Sequence, residues 1–153
     1  MNSKMGKSGE IISVNISLRK SGPKIPQAEA IAIANYGLEG DGHAGQHHRQ
    51  VSLLAIESVE KMRKRGLEVS PGDFAENITT KGLELIRLPI GTILEIGQEV
   101  ILEITQIGKV CHNKCAIFKQ VGYCVMPEEG IFARVIRGGK IKKGDLIHVR
   151  EKK

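Results

Sequence analysis

The chain of 153 residues has no tryptophan, two tyrosines and three phenylalanines. Its core must therefore be aliphatic, and single-stranded nucleic acid would find no stacking platform on it. No run of about 18 apolar residues is present, which excludes a membrane-spanning helix. The opening MNSKMGKSGE lacks the apolar centre of a secretory leader. Cysteine is scarce: three residues, an odd number, which excludes a fully paired disulfide framework. Free thiols in a reducing, cytoplasmic setting are the expectation. Neither sign of charge dominates, with 23 Lys+Arg against 17 Asp+Glu and a net charge of +6. There is no recognition helix and no clustered basic face with aromatic readers, so no nucleic acid partner is expected. An anionic small molecule suits the mild excess at least as well.

Glycine, by contrast, is plentiful at 18 residues. Frequent turns imply many short strands. Alternating or apolar runs at residues 11–18, 28–34, 51–56, 92–96, 99–107, 131–136 and 146–149 read as strands. Residues 57–65 begin acidic, end basic and are followed by Gly66, the order that the helix dipole and a glycine C-cap favour. RGGKIKKGD, residues 137–145, reads as two turn signals. The sum predicts a mainly β fold, a largely antiparallel β-barrel with one or two short helices. Residues 1–9 read as a disordered tail and residues 10–150 as one domain.

Four segments carry chemistry. The stretch GKVCHNKCAIFKQVGYCVMP, residues 108–127, holds all three cysteines. Lys109, His112 and Lys114 surround Cys111, and a cationic neighbourhood favours the thiolate that attacks, carries sulfur or binds metal. Cys115 lies four residues on and could resolve an oxidised or persulfidated Cys111. Cys124, beside Tyr123 and Val125, reads as packing. The loop GLEGDGHAGQHHRQ, residues 37–50, combines Gly40, Asp41, Gly42, His43 and Gly45 with His47, His48 and Arg49. Glycines let backbone amides approach an anion, and an arginine offers a fork for phosphate or carboxylate. It lacks GK[ST] and so is no nucleotide P-loop. Glu76 and Asn77, in PGDFAEN, could line a pocket, and Arg134 on a strand could reach the same anion site.

In this order the four segments resemble the MOSC domain, named for the C-terminal domain of molybdenum cofactor sulfurases. GLEGDGHAGQHHRQVSLL, GDFAENITTKG, LPIGTILEIGQEVILEITQIGKVC and MPEEGIFARVIRGGKIKKGDLIHV carry the resemblance across residues 10–150. It implies a β-barrel with a reactive cysteine at Cys111, which in relatives receives sulfur from a pyridoxal-phosphate-dependent cysteine desulfurase or ligates molybdenum. Where many members have proline before that cysteine, this chain has Val110. No pyridoxal phosphate site is visible, so a desulfurase or molybdoenzyme would be a separate chain.

The first reading is thus a sulfur-carrier or molybdenum-cofactor-binding domain. Cys111 would hold a persulfide or ligate the metal, a role that suits a soft thiolate. The amides of Gly40–Gly45 and Arg49 would hold the anionic pterin phosphate. Two alternatives stay open: a zinc-dependent enzyme using His43, His47 and His48 with a cysteine, and a binding module without chemistry. The first reading requires the loop 37–50 to lie near Cys111. It also expects the adjacent His47 and His48 to point apart.

Overall fold

The computed structural model describes residues 7–19, 22–108 and 126–150. Strands β1 (Ser8–Ile16), β2 (Ile25–Gln27), β3 (Glu29–Ile33), β4 (Gly37–Leu38) and β5 (Val51–Ala55) lead into helix α1 (Ile56–Lys64). Strands β6 (Ile78–Lys81), β7 (Ile93–Ile96) and β8 (Val100–Ile107) follow. After them come a short helix α2 (Met126–Glu129) and strands β9 (Ile131–Arg137), β10 (Gly139–Lys142) and β11 (Leu146–Val149).

Seven strands close a barrel in the order β11–β7–β8–β9–β5–β6–β1, because β1 also pairs with β11. Closure leaves no open edge in the ring. Its pairs are antiparallel except β5–β6, where Leu53, Leu54 and Ala55 run parallel to Ile78, Thr79 and Thr80. Such a pair needs a crossover, and α1 with the loop to residue 77 supplies it. Strand β2 pairs with the far end of β1, and β10–β3–β4 form a small second sheet.

Alternation fills the interior. In β8, Val100, Leu102 and Ile104 are buried while Ile101, Glu103 and Thr105 are only half-buried. Ile11, Leu53, Ile78, Leu94, Ile131 and Ile147, each fully buried, join them in one aliphatic cluster. Burying each such side chain contributes about 1.5–3 kcal/mol. Outside the barrel wall, Val59 and Met62 of α1 pack with Leu54, Leu67, Phe74 and Phe132. Helix α1 has Glu57 in its first turn and Lys61, Arg63 and Lys64 in its last, as its charge order predicts.

Two expectations are corrected. The polar tail ends sooner than residue 9, since Ser8 and Gly9 pair with His148 and Ile147. Residues 139–142 form β10, with Lys140 and Ile141 paired to Ile31 and Ala30. Glycine and lysine are weak strand formers, and the partner strand decides the outcome there. No helix among the described residues is long and apolar enough to cross a membrane.

Candidate functional site

Asp41 anchors the glycine loop. Its Oδ1 accepts the Ser17 N–H at 3.1 Å and the Lys24 ammonium at 2.9 Å, and its Oδ2 accepts the His43 N–H at 3.2 Å. The Lys24 and Asp41 side chains are 3% and 0% exposed. Removing either charge would leave the other buried without its partner. The Gly42 N–H donates to the Ser17 carbonyl, and a Cβ there would sit 2.5 Å from the Leu18 carbonyl oxygen. Only glycine fits so close to backbone.

The loop's own amides are largely engaged within it. The N–H groups of Asp41, Gly42, Ala44 and Gly45 donate to Leu38, Ser17, Asp41 and Tyr36 carbonyls, and that of His43 to the Asp41 carboxylate. Each amide has one hydrogen to give, so residues 41–45 build the loop with theirs. Gly40, at φ +83°, makes the turn that precedes them.

Glu76 and Asn77 form a second buried system. The Glu76 carboxylate is fully buried and accepts the N–H groups of Gly72 and Phe74 and the Thr79 hydroxyl. Burial pushes its pKa up, against the opposing pull of those donors. The Asn77 Oδ1 accepts the Ser52 N–H and its Nδ2 donates to the Asn15 carbonyl. The Asn15 amide in turn donates to the Glu76 carbonyl and to Thr79 Oγ1. The two systems meet at Gly72, whose carbonyl accepts the Lys24 N–H at 2.7 Å. At φ +93°, with a Cβ position 2.2 Å from the Lys24 carbonyl oxygen, it too must be glycine.

The remaining loop residues face the ends of β8 and β9. His47 turns back on its own loop. Its Nδ1 accepts the Arg49 N–H at 3.0 Å, so its hydrogen sits on Nε2, 3.0 Å from the His43 carbonyl. The His43 and His47 rings meet edge to face, 6.1 Å between centroids. His48 points elsewhere, its Nε2 lying 2.7 Å from Gln106 Oε1. The two adjacent histidines thus point apart. Arg49, half-buried, donates from Nε to the same Gln106 oxygen at 3.2 Å and stacks its guanidinium 5.5 Å from the Phe132 ring centre. Its terminal nitrogens have no hydrogen-bond partner among the described residues. Arg134, two residues beyond Phe132, pairs instead with Glu103 at 2.7 Å on the barrel surface.

A β-bulge brings β8 to this loop. Pairing of β8 with β9 skips from Ile104↔Ala133 to Gln106↔Phe132. In a regular strand Thr105 and Gln106 would face opposite ways. Here the Thr105 hydroxyl bonds the His48 carbonyl while Gln106 meets the His48 and Arg49 side chains. Gln106 Nε2 donates to the Gly108 carbonyl at 2.7 Å, and the Gly108 N–H donates to the Gly130 carbonyl at 2.7 Å. The loop 37–50 therefore touches the strand end that leads into the cysteine segment. Cys111, Cys115 and Cys124, with Lys109, His112 and Lys114, lie outside the described residues.

Among the described residues no group of three His, Cys, Asp or Glu could hold a metal. Both His47 nitrogens are engaged within the loop. A concavity of about 500 Å³ opens between the start of α1, residues 82–87 and Glu129, and none of the candidate residues lines it. Sequence reasoning missed Lys24, Gln106 and Phe132. Lys24 follows a Gly-Pro turn and looks like a surface lysine. A bulge at Thr105 has no signature in EITQIG.

The family model of the MOSC domain matches residues 40–148. Among curated proteins none is significantly similar in sequence. Among solved structures, the YuaD protein from Bacillus subtilis superposes with a TM-score of 0.80 at 18% identity, covering 95% of this chain and 97% of that one. YiiM from Geobacillus stearothermophilus gives a TM-score of 0.69 at 21% identity, covering 94% and 75%. YiiM from Escherichia coli gives 0.66 at 20%, covering 95% and 71%. At these identities the likeness is one of fold.

Proposed function

Because the chain belongs to the MOSC domain family, we propose that it is a molybdenum-cofactor-binding, sulfur-carrying domain, with Cys111 as the thiol that carries sulfur to the cofactor's metal or binds that metal. One observation carries the reading. Arg49 is held by Gln106 and Phe132 with its terminal N–H groups uncommitted among the described residues, and the same Gln106 donates to the carbonyl of Gly108, at the strand end that precedes the thiol segment in sequence.

The residues suit the group in part. A half-buried guanidinium, already oriented, fits a phosphate fork. The amides of residues 41–45 do not, being used within the loop. Arg49 would hold the pterin phosphate, with His48 beside it, and Cys111 would meet the metal end. Asp41, Gly42, Glu76 and Asn77 would serve by fixing the two loops. Molybdenum, when bound, supplies a soft, redox-active centre to which sulfur binds.

In the sulfur-carrying step the Cys111 thiolate attacks the terminal sulfur of a donor persulfide. A new S–S bond forms on Cys111, the donor's S–S bond breaks, and the donor leaves as thiolate. The transfer needs no external oxidant, since the persulfide already holds the oxidised sulfur. A cysteine desulfurase, as a separate chain in a reducing cytoplasm, is the donor of this chemistry.

The test is mass spectrometry of the chain after incubation with a cysteine desulfurase, cysteine and molybdenum cofactor. One added sulfur on the Cys111 peptide, absent in Cys111→Ser, is expected, together with retained molybdenum and pterin that Arg49→Ala loses. Stoichiometric zinc, or a sulfur-free Cys111, would overturn the reading.

A further inference from the structure

The concavity between the start of α1, residues 82–87 and Glu129 has walls that follow from the local chain. Gly82, at φ +91°, turns the chain out of β6. Leu83 and Leu85 then fold inward, 4% and 2% exposed, and join Ala55 in the aliphatic cluster of the barrel. With the exposed Ile86 they give the concavity an apolar floor. Its volume of about 500 Å³ is within the range that holds a small organic molecule. In such sites apolar surface supplies the contact and a few polar groups fix the orientation of the guest.

The polar groups here are three carboxylates and two cations. Glu129 is engaged on both oxygens: Oε1 accepts the Ser58 hydroxyl at 2.5 Å and Oε2 the Lys61 ammonium at 2.9 Å. Glu84 pairs with Arg87 at 3.4 Å. Glu57 is different. Its Oε2 accepts the Gly82 N–H at 3.1 Å, a neutral donor, and no cation pairs with it among the described residues. Three carboxylates against two cations leave the concavity a formal charge of −1, on a chain whose net charge is +6. The local field therefore opposes that of the whole molecule, and it favours a cationic guest over an anionic one.

We propose that this concavity binds an organic cation, an ammonium or guanidinium on a compact apolar body. The cationic end pairs with Glu57, and the body lies on Leu83, Leu85 and Ile86. Lys61 and Arg87 each already have a carboxylate, so neither offers an anion what Glu57 offers a cation. The site shares no residue with the proposed anion site at Arg49 and does not depend on it.

The experiment titrates the intact, isotope-labelled chain with hexylammonium, hexanol and hexanoate, which share an apolar body and differ in charge. Amide shifts of Ser58, Gly82 and Leu83 locate the binding, and calorimetric titration gives Kd. Hexylammonium should shift these amides and bind on the order of fivefold more tightly than hexanol, as one solvent-screened ion pair allows. Hexanoate should bind most weakly, and added salt should erase the advantage of the ammonium. Glu57→Gln keeps an acceptor for the Gly82 N–H and removes the charge. It should bring hexylammonium down to the affinity of hexanol and leave hexanol unchanged. Ile86→Ser should weaken both probes alike. Hexanoate binding as tightly as hexylammonium, shifts confined to other parts of the chain, no binding of any probe, or native hexylammonium affinity in Glu57→Gln would each overturn the proposal. Every one of those results would leave the proposed function standing.

Discussion

The polar residues of this domain divide between two regions that look alike in sequence and behave oppositely in space. In one, Asp41, Lys24, Glu76, Asn77 and Asn15 are buried and satisfied by one another and by backbone. In the other, His48, Arg49 and Gln106 meet at the end of β8, with part of Arg49's hydrogen-bonding capacity uncommitted among the described residues. The first region holds loops in place. The second is the one proposed to meet a ligand. A motif dense in Gly, Asp, His and Arg thus spends most of its polar groups on holding its own loop.

The largest effect should come from breaking the scaffold's ion pair. Lys24→Met leaves Asp41 charged, buried and unpaired, and should cost about 3–5 kcal/mol in urea unfolding. Lys24→Met with Asp41→Asn should recover part of that loss, because no lone charge remains. If the single variant is as stable as the native chain, the pair is not the loop's anchor.

Glu76→Gln should come next, at about 1–3 kcal/mol, since one oxygen cannot serve the three donors that two oxygens serve. Its pH dependence has a definite sign. Burial raises the folded pKa above 4.5, so the folded state binds the proton more tightly than the unfolded state does. The native chain's advantage over Glu76→Gln should therefore be greatest below about pH 4.5 and shrink as pH rises above it, through the folded pKa. A difference that grows over that range in paired denaturation curves would show that the donors outweigh desolvation.

At the end of β8, Arg49→Ala should change stability by only about 0.5–1 kcal/mol, the worth of an accessible cation–π contact. Its loss should appear in cofactor retention instead. Equal damage to stability and retention would make Arg49 part of the scaffold and erase the division between the regions. Arg134→Ala should have the smallest effect, about 0.2–1 kcal/mol at most, because its pair with Glu103 is surface-exposed and screened by salt.

Much of the fold was legible along the chain. Val100, Leu102 and Ile104 alternate with Ile101 and Glu103, and period two is a local property that survives into the barrel. The acidic start and basic end of α1 likewise act over one or two turns. β10 was not legible, because its pairing with β3 comes from over a hundred residues away. Within the candidate site, the loop 37–50 and Arg49 stood out by residue type. The fate of the amides did not, since Ser17 and Tyr36 accept from positions remote in sequence or behind a turn. Lys24 was invisible for the same reason: nothing in its neighbours announces a buried carboxylate 17 residues on.

The sequence by itself determined the strand pattern, the helix and its direction, the aliphatic core and the set of residues able to do chemistry. Each depends on side-chain type and short spacing, which act within a few residues. Tertiary structure alone decided the closure of β1 on β11, the bulge that turns Gln106 toward Arg49, and which polar groups are buried. Those outcomes depend on contacts between distant segments, where burial turns one Asp into an anchor and a strand's neighbour turns one Gln into a strut.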